Sequence, residues 1–229
     1  MNNELSEIVI AYATKPHKDL NAFLIDKSKD QLVSLFNDLL TIYINDKNSS
    51  TIREFITIAL AGYTHNNKKI GYNGFKQSVE IGGEPINCEA KPKNINTEDN
   101  KTKKSPRRLD GGGNFTDYTP ERLKKDLKSN LNLLTSGFID GQLIYILEFP
   151  FSAKSFVKRI KATLTKRFKN QKREKGTFLR SASFTFQHYK DCNDLKIVFI
   201  DKVALQNNER NFNRQFYNFF SSKLHETNK

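Results

Sequence analysis

The tripeptide Glu89-Ala90-Lys91 carries the residue types best suited to chemistry on a phosphate ester. Side chains alternate between the faces of a β-strand, so a carboxylate and an ammonium two residues apart point to the same side. Mg²⁺ prefers oxygen ligands and usually takes one or two carboxylates, with water and phosphate completing its shell. The lysine orients or helps to deprotonate an attacking water, and metal and lysine stabilise the charge that develops on a phosphodiester. The alternative interpretation is an ordinary exposed ion pair on an edge strand.

A second acidic ligand is needed beside Glu89, and three glutamates are candidates. Glu80 lies nine residues upstream, and the Gly82-Gly83 pair between the two predicts a hairpin that brings them together. Glu84 is nearer in sequence but falls at the turn itself. Glu54, on a helix predicted before the hairpin, is expected to add a third metal ligand.

This order of residues resembles the PD-(D/E)xK nuclease superfamily, whose commonest members of this length are type II restriction endonucleases. The resemblance covers about residues 50–150, in which an acidic strand, a short turn and a strand ending in Glu-x-Lys precede a helix and another strand. It implies that Glu80 and Glu89 bind Mg²⁺ and that Lys91 is the catalytic lysine. It also implies that the Ala90 carbonyl joins the metal shell.

The first acid of the motif differs from the usual pattern of the family. That acid is usually Asp, often after Pro, whereas this chain has no Asp between Asp46 and Asp99. Asn73, sixteen residues before Glu89, stands at a common spacing for that Asp, but an amide is a poor replacement for a carboxylate. We therefore assign the role of first acid to Glu80.

Basic residues are concentrated in two stretches that favour binding to nucleic acid. Residues 154–175 contain ten Lys or Arg against the single acid Glu174, and much of the stretch is a predicted helix with an apolar opposite face. Phosphate backbones attract such a surface through counterion release, and a membrane-surface helix is the competing interpretation. In the predicted loop 92–114, Arg and Asn side chains are expected to reach base edges, and a disordered insertion is the alternative. The predicted DNA-binding residues are Lys93, Lys101, Lys103, Lys104, Arg107, Arg108, Asn114, Lys154, Lys158, Arg159, Lys161, Lys166 and Arg167.

The predicted function is a site-specific, Mg²⁺-dependent endonuclease of double-stranded DNA. The resemblance to restriction enzymes implies a homodimer on palindromic sites, because two-fold protein symmetry matches two-fold DNA symmetry. Two other functions remain open. His188 and Asp191 suit general acid–base catalysis in a metal-independent enzyme such as a DNA glycosylase, and a non-catalytic nucleic-acid-binding protein is the other possibility. No small-molecule cofactor is expected.

The composition supports a polyanionic partner. The 229 residues include 38 Lys and Arg against 25 Asp and Glu, a net charge of +13. The two cysteines, Cys88 and Cys192, are too few for a disulfide framework or a Cys-rich zinc site. No segment approaches the roughly 18 apolar residues of a membrane span, and the first residues lack the features of a signal peptide. These features predict a cytoplasmic protein that does not bind membranes.

The predicted elements form a single domain of residues 1–229. A helical part covers residues 1–65, an α/β catalytic core covers 66–205 with the basic loop 92–114, and a helix covers 206–229. The fold class is α/β or α+β, with a small central mixed β-sheet flanked by helices, and the resemblance implies a restriction-endonuclease-like core.

Local signals place the elements within the core. Thr119-Pro120 predicts a helix start, and Leu123, Leu127, Leu131 and Leu134 form its apolar stripe. The other predicted core elements are a hairpin of strands 75–81 and 85–90, a strand at 142–149, a helix capped by Ser152, and a hairpin of strands 177–189 and 195–205.

Overall fold

The computed structural model describes residues 1, 3–45, 50–66, 71–78, 82–169, 174 and 176–226. Its α-helices are α1 (Asn3–Thr14), α2 (Asn21–Leu24), α3 (Lys29–Asn45), α4 (Thr51–Leu60), α5 (Thr97–Lys101), α6 (Pro120–Lys128), α7 (Lys154–Phe168), α8 (Lys202–Asn207) and α9 (Arg214–Glu226). Its strands are β1 (Thr64–His65), β2 (Gly74–Lys76), β3 (Ile86–Ile95), β4 (Gly113–Tyr118), β5 (Leu131–Ile139), β6 (Gln142–Pro150), β7 (Leu179–Phe184) and β8 (Lys196–Ile200).

A six-stranded sheet in the order β1-β2-β3-β5-β6-β8 forms the centre of the described chain. Strands β3 and β5 are parallel and are joined by a crossover that contains α6, while the other neighbours are antiparallel. The fold is therefore a mixed α+β sheet flanked by helices, as the sequence predicts. A separate two-stranded ribbon pairs β4 with β7.

The two faces of the central sheet are covered by different parts of the chain. Helices α1, α3 and α4 pack on one face, where Phe138 and Ile146 lie in the core. The ribbon, α6, α7 and α9 cover the other face around Leu133, Phe149 and many aromatic side chains. The N-terminal helices and the C-terminal half of the chain thus bury the same sheet from opposite sides.

Residues 92–114 are not the continuous loop that the sequence predicts, because β3 extends to Ile95 and α5 follows it. A proline inside a strand favoured the loop prediction. Alternate residues of a strand direct their backbone groups to the same side, so the backbone groups of Ala90 and Pro92 both point to the side of β2. The pairing of β3 with β2 extends only as far as Cys88, which lies opposite Gly74. The missing N–H of Pro92 therefore costs no ladder bond, and β3 pairs with β5 on its other side.

Two further predictions in the core are wrong. Leu131 and Leu134 do not continue the stripe of α6, since that helix ends at Lys128 and both leucines lie in β5. The predicted hairpin over 177–205 does not form, because β7 pairs with β4 and β8 pairs with β6. The helix start at Thr119 is confirmed, with the Thr119 hydroxyl accepting from the Arg122 N–H at 3.1 Å.

Candidate active site

Glu89 and Lys91 project from the same face of β3, and Lys91 Nζ lies 2.7 Å from Glu89 Oε1. Both side chains are shielded, with exposed fractions of 8% for Glu89 and 18% for Lys91. Lys91 Nζ also lies 4.7 Å from the centre of the Phe115 ring of β4, whose face attracts a cation. The pair is therefore a buried feature of a strand in the interior of the sheet, and not an exposed pair on an edge strand.

The backbone beside Glu89 is joined to α4 through Asn73. Asn73 Oδ1 accepts a hydrogen bond from the Ala90 N–H at 2.9 Å, and Asn73 Nδ2 donates to Glu54 Oε2 at 3.3 Å. The N–H of Ala90 can only donate, so an oxygen must face it, and the Asn73 amino group then faces Glu54. An aspartate at this position would set a second negative charge against the Glu54 carboxylate, whereas the amide links the two without repulsion.

Two residues of α6 that sequence reasoning missed, Arg122 and Asp126, extend the polar cluster around Glu89. Arg122 Nη2 lies 3.5 Å from Glu89 Oε1, and Arg122 Nε lies 3.8 Å from Asp126 Oδ2. Asp126 is 3% exposed and accepts hydrogen bonds from the hydroxyls of Tyr118 at 2.6 Å and Tyr72 at 3.1 Å. Burial raises the pKa of Asp126, although Tyr118 and Arg122 act in the opposite direction. The Arg122 guanidinium is thus shared between two buried carboxylates.

The triplet Gly111-Gly112-Gly113 packs against the strand that carries Glu89. A Cβ on Gly113 would lie 2.7 Å from Lys91 Cβ, and a Cβ on Gly112 would lie 2.2 Å from a backbone oxygen of β7. Asp110 Oδ1 accepts from Lys93 Nζ at 2.6 Å and from the Gly112 N–H at 3.0 Å. The absence of side chains allows this close approach, so the triplet positions the stem of Lys91.

The donor set of the cluster fits the Mg²⁺ ion that the resemblance implies. Glu89 Oε2 is buried and has no hydrogen-bond partner among the described residues, which is costly unless a ligand satisfies it. The Ala90 carbonyl points to the same side of β3 as its N–H, toward Asn73. Carboxylate and carbonyl oxygens are the ligands that Mg²⁺ prefers, and Glu54 supplies a further carboxylate on that side.

The described residues contain no group of three or more His, Cys, Asp or Glu side chains arranged to hold a metal. An ion at Glu89 would therefore take most of its shell from backbone, water and substrate oxygens, as Mg²⁺ commonly does. Glu80, the acid predicted to be the first ligand, lies outside the described residues. Glu84 is exposed in the segment before β3.

The predicted DNA-binding residues of α7 are all exposed, but they are distributed around the helix: Lys161 borders α6, whereas Arg159 and Arg167 lie toward β7. The buried face of α7 consists of Phe156, Ile160 and Leu164. Arg159 Nε donates to the Ser183 carbonyl oxygen at 3.3 Å, and the Ser183 hydroxyl donates to Asn114 Oδ1 at 3.2 Å, so α7 and the β4–β7 ribbon form a continuous polar surface. The exposed basic residues of α7 are Lys154, Lys158, Arg159, Lys161, Lys166 and Arg167. Three more basic residues of this stretch, Lys172, Arg173 and Lys175, lie outside the described residues.

The second basic stretch lies on α5 and the turn that follows it. The buried Asn100 holds this turn, since its side chain donates to the Arg107 carbonyl at 3.0 Å and accepts from the Arg107 N–H at 3.2 Å. The predicted DNA-binding residues Lys101, Lys103, Lys104, Arg107 and Arg108 are all exposed. Lys93, by contrast, is half-buried and paired with Asp110.

The alternative pair His188 and Asp191 lies at a turn beside the start of α7. His188 Nδ1 accepts from the Thr185 N–H at 3.0 Å, a contact that closes the turn over 185–188. Burial lowers the pKa of His188 below its usual value, and Asp191 is exposed. Both residues line a cavity of about 290 Å³. The geometry of His188 is that of a local structural contact.

No protein-family model and no curated protein matches the sequence of this chain. Within the described part of the chain, none of the helices combines the length and the apolar character that crossing a membrane requires.

Proposed function

We propose that this protein is a Mg²⁺-dependent endonuclease that cleaves double-stranded DNA at specific sites. The observation that carries the proposal is the buried Glu89–Lys91 pair on β3, in which Lys91 binds one carboxylate oxygen and the other has no hydrogen-bond partner in the described part of the chain. The strand that carries the pair is followed by a helical crossover to a parallel neighbour, β5. This is the order of elements expected from the resemblance to restriction endonucleases.

Each residue of the cluster has a role in this proposal. Glu89, the Ala90 carbonyl and Glu54 would hold Mg²⁺, which would supply Lewis-acid stabilisation of the negative charge that develops on the phosphodiester. Lys91 orients the attacking water, because the Phe115 ring holds its ammonium and the close approach of Gly113 positions its stem.

Arg122 has a separate role, because it places a positive charge beside Glu89 that does not depend on the metal. This charge offsets the repulsion between a DNA phosphate and the buried carboxylates Glu89 and Asp126. The Arg122 side chain is 38% exposed, so it is accessible to a phosphate on the DNA.

In this proposal the basic surfaces of the protein supply the part of the binding energy that does not depend on the DNA sequence. The exposed face of α7 and the turn after α5 carry Lys and Arg side chains suited to phosphate contacts. Asn114, on the ribbon that also carries Phe115, is exposed and suited to a base edge. The ribbon borders Lys91 through Phe115 and Gly113, and α7 contacts the ribbon through Arg159.

Metal dependence tests the proposal. Purified protein should nick or linearise plasmid DNA with Mg²⁺ and leave it intact with a chelator, and Lys91→Ala should bind DNA normally without cutting. Cleavage that persists in chelator would favour the metal-independent chemistry of His188 and Asp191. DNA binding without strand breaks at any divalent metal would favour a non-catalytic nucleic-acid-binding protein.

A further inference from the structure

The β4–β7 ribbon has one face in the core and one face exposed to solvent. Phe115 and Phe184 point inward, and each is 1% exposed. Asn114 lies opposite Ser183 in the register of the ribbon, and Ser181 follows on the same side of β7. All three of these polar residues are exposed. They form a small polar surface, which we call the ribbon face, on a backbone that the core holds in place.

Hydrogen bonds within the ribbon face orient the Asn114 amide. Ser181 Oγ lies 2.6 Å from Asn114 Oδ1, and Ser183 Oγ lies 3.2 Å from the same atom. A separation of 2.6 Å is usual for an O–H···O bond and too short for an N–H···O bond, so the amide oxygen faces the serines. The serine hydroxyls donate to the two lone pairs of that oxygen. The amino group is on the other branch of the amide, and its two donors therefore point away from the serines.

The ribbon has suitable dimensions and a suitable position for contact with DNA bases. The major groove is about 12 Å wide and admits a two-stranded β-ribbon, whose strands lie about 4.8 Å apart. The two neighbours of Asn114 in the chain contact Lys91, since the Phe115 ring centre lies 4.7 Å from Lys91 Nζ and a Cβ on Gly113 would lie 2.7 Å from Lys91 Cβ. A base bound by Asn114 would thus have a fixed position relative to Lys91.

The hydrogen-bonding groups that Asn114 presents distinguish between the four bases. In the major groove guanine offers two neighbouring acceptors, N7 and O6, whereas adenine offers one acceptor and one donor. Thymine offers one acceptor beside its methyl group, and cytosine offers a donor. Asparagine commonly recognises adenine by accepting from N6 and donating to N7, but Asn114 Oδ1 already accepts from both serines. The two donors of the Asn114 amino group match guanine best.

We propose that Asn114, oriented by Ser181 and Ser183, recognises a guanine through its N7 and O6 atoms in the major groove. This proposal rests on the proposed endonuclease function and adds a base that the DNA substrate must contain. Asn114 determines the specificity at this base pair, and the two serines are positioning residues. Arg159 Nε donates to the Ser183 carbonyl oxygen at 3.3 Å, which places a positive charge beside the ribbon face for a phosphate of the same DNA.

Selection of bound duplexes from a random-sequence DNA library, in chelator so that no strand is cut, tests the role of Asn114. The wild-type protein should prefer guanine over adenine by about tenfold at one base pair of its site. Asn114→Ala should lose this preference and keep those at other base pairs. The double variant Ser181→Ala/Ser183→Ala frees Oδ1, so it should accept adenine at this base pair as well as guanine. The matched control is Asn218→Ala, an exposed asparagine of α9, which should keep the wild-type preference.

Base analogues keep the test decisive if a variant fails to fold, because they are used with the wild-type protein. In the selected duplex, 7-deazaguanine lacks the N7 acceptor and should weaken binding by about fivefold. Inosine keeps N7 and O6 and should bind as guanine does. A preference for adenine in the wild-type protein, or unchanged binding of the 7-deazaguanine duplex, would overturn the proposal.

The same experiments separate this proposal from the proposed nuclease activity. Cleavage with Mg²⁺ but without any base preference would overturn the role of Asn114 and leave the hydrolytic chemistry standing. A guanine preference that depends on Asn114, in a protein that never cuts DNA, would support the role of Asn114 and overturn the nuclease. Failure to bind any duplex would overturn both.

Discussion

Removal of the Lys91 charge should destabilise the fold more than removal of the Glu89 charge. Lys91→Met leaves the Glu89 carboxylate, 8% exposed, with Arg122 at 3.5 Å as its cationic neighbour among the described residues. Breaking a buried ion pair by deleting one partner costs about 3–5 kcal/mol. Since Arg122 retains part of the compensation, we expect a loss of about 2–4 kcal/mol in the free energy of unfolding. For a chain of this size that corresponds to a fall in Tm of about 5–10 °C.

The reverse substitution is expected to be milder. Glu89→Gln keeps an oxygen for the hydrogen bond from Lys91, whose side chain is 18% exposed and therefore in contact with water. We expect a loss of about 1 kcal/mol. The loss in the free energy of unfolding of the double variant should be smaller than the sum of the losses of the two single variants, with a coupling energy between the two positions of about 1 kcal/mol or more.

Urea unfolding followed by circular dichroism measures these differences. Lys196→Met is the matched control, because Lys196 is an exposed strand lysine on β8, and we expect a change within about 0.5 kcal/mol. A loss below about 1 kcal/mol for Lys91→Met, or a larger loss for Glu89→Gln, would refute the burial and pairing described for this cluster.

Three further variants test other parts of the protein. Gly113→Ala should lower the free energy of unfolding by about 1–3 kcal/mol and slow DNA cleavage, because the new Cβ would lie 2.7 Å from Lys91 Cβ. Unchanged cleavage would argue against a positioning role of Gly113. Replacing Lys158 and Lys161 of α7 with Gln should weaken binding equally on unrelated DNA sequences, and the slope of log K against log salt should fall by about 0.9 per lost phosphate contact. Burial raises the pKa of Asp126 in the folded protein, so as pH rises the unfolded chain loses the Asp126 proton before the folded protein does. The contribution of Asp126 to the free energy of unfolding therefore falls as pH rises. The stability difference between wild type and Asp126→Asn should therefore be larger at about pH 4 than at about pH 7, and a difference that grows with pH would contradict this.

Local signals were sufficient for the centre of the candidate site. The alternation of strand side chains predicts that Glu89 and Lys91 share a face, and the Thr119-Pro120 pair predicts the start of α6. Each of these predictions depends on interactions within a few residues of chain. Both are confirmed by the structure.

Local sequence signals did not predict the residues that connect separate elements of the fold. Asn73 looked like a poor replacement for Asp, and its link between Ala90 and Glu54 becomes visible only when three elements are assembled. Arg122 and Asp126 have the i, i+4 spacing of any helical ion pair, and the sequence does not show that α6 lies against Glu89.

Local sequence signals also did not predict which strands pair with each other. Strand β7 has the composition of a hairpin partner for β8, but its partner is β4, which lies some 65 residues away along the chain. The mistaken continuation of α6 to Leu134 arose because leucines at helical spacing also suit a strand that is buried on both faces.

The measurement that tests the central claim most directly is digestion of a long double-stranded DNA with Mg²⁺ by wild type and by Lys91→Ala. The account predicts discrete bands with wild type and intact but bound DNA with Lys91→Ala, whose folding is verified by circular dichroism. Equal cutting by the two proteins, or no cutting by the folded wild-type protein with any divalent metal, would contradict a nuclease site at Glu89 and Lys91.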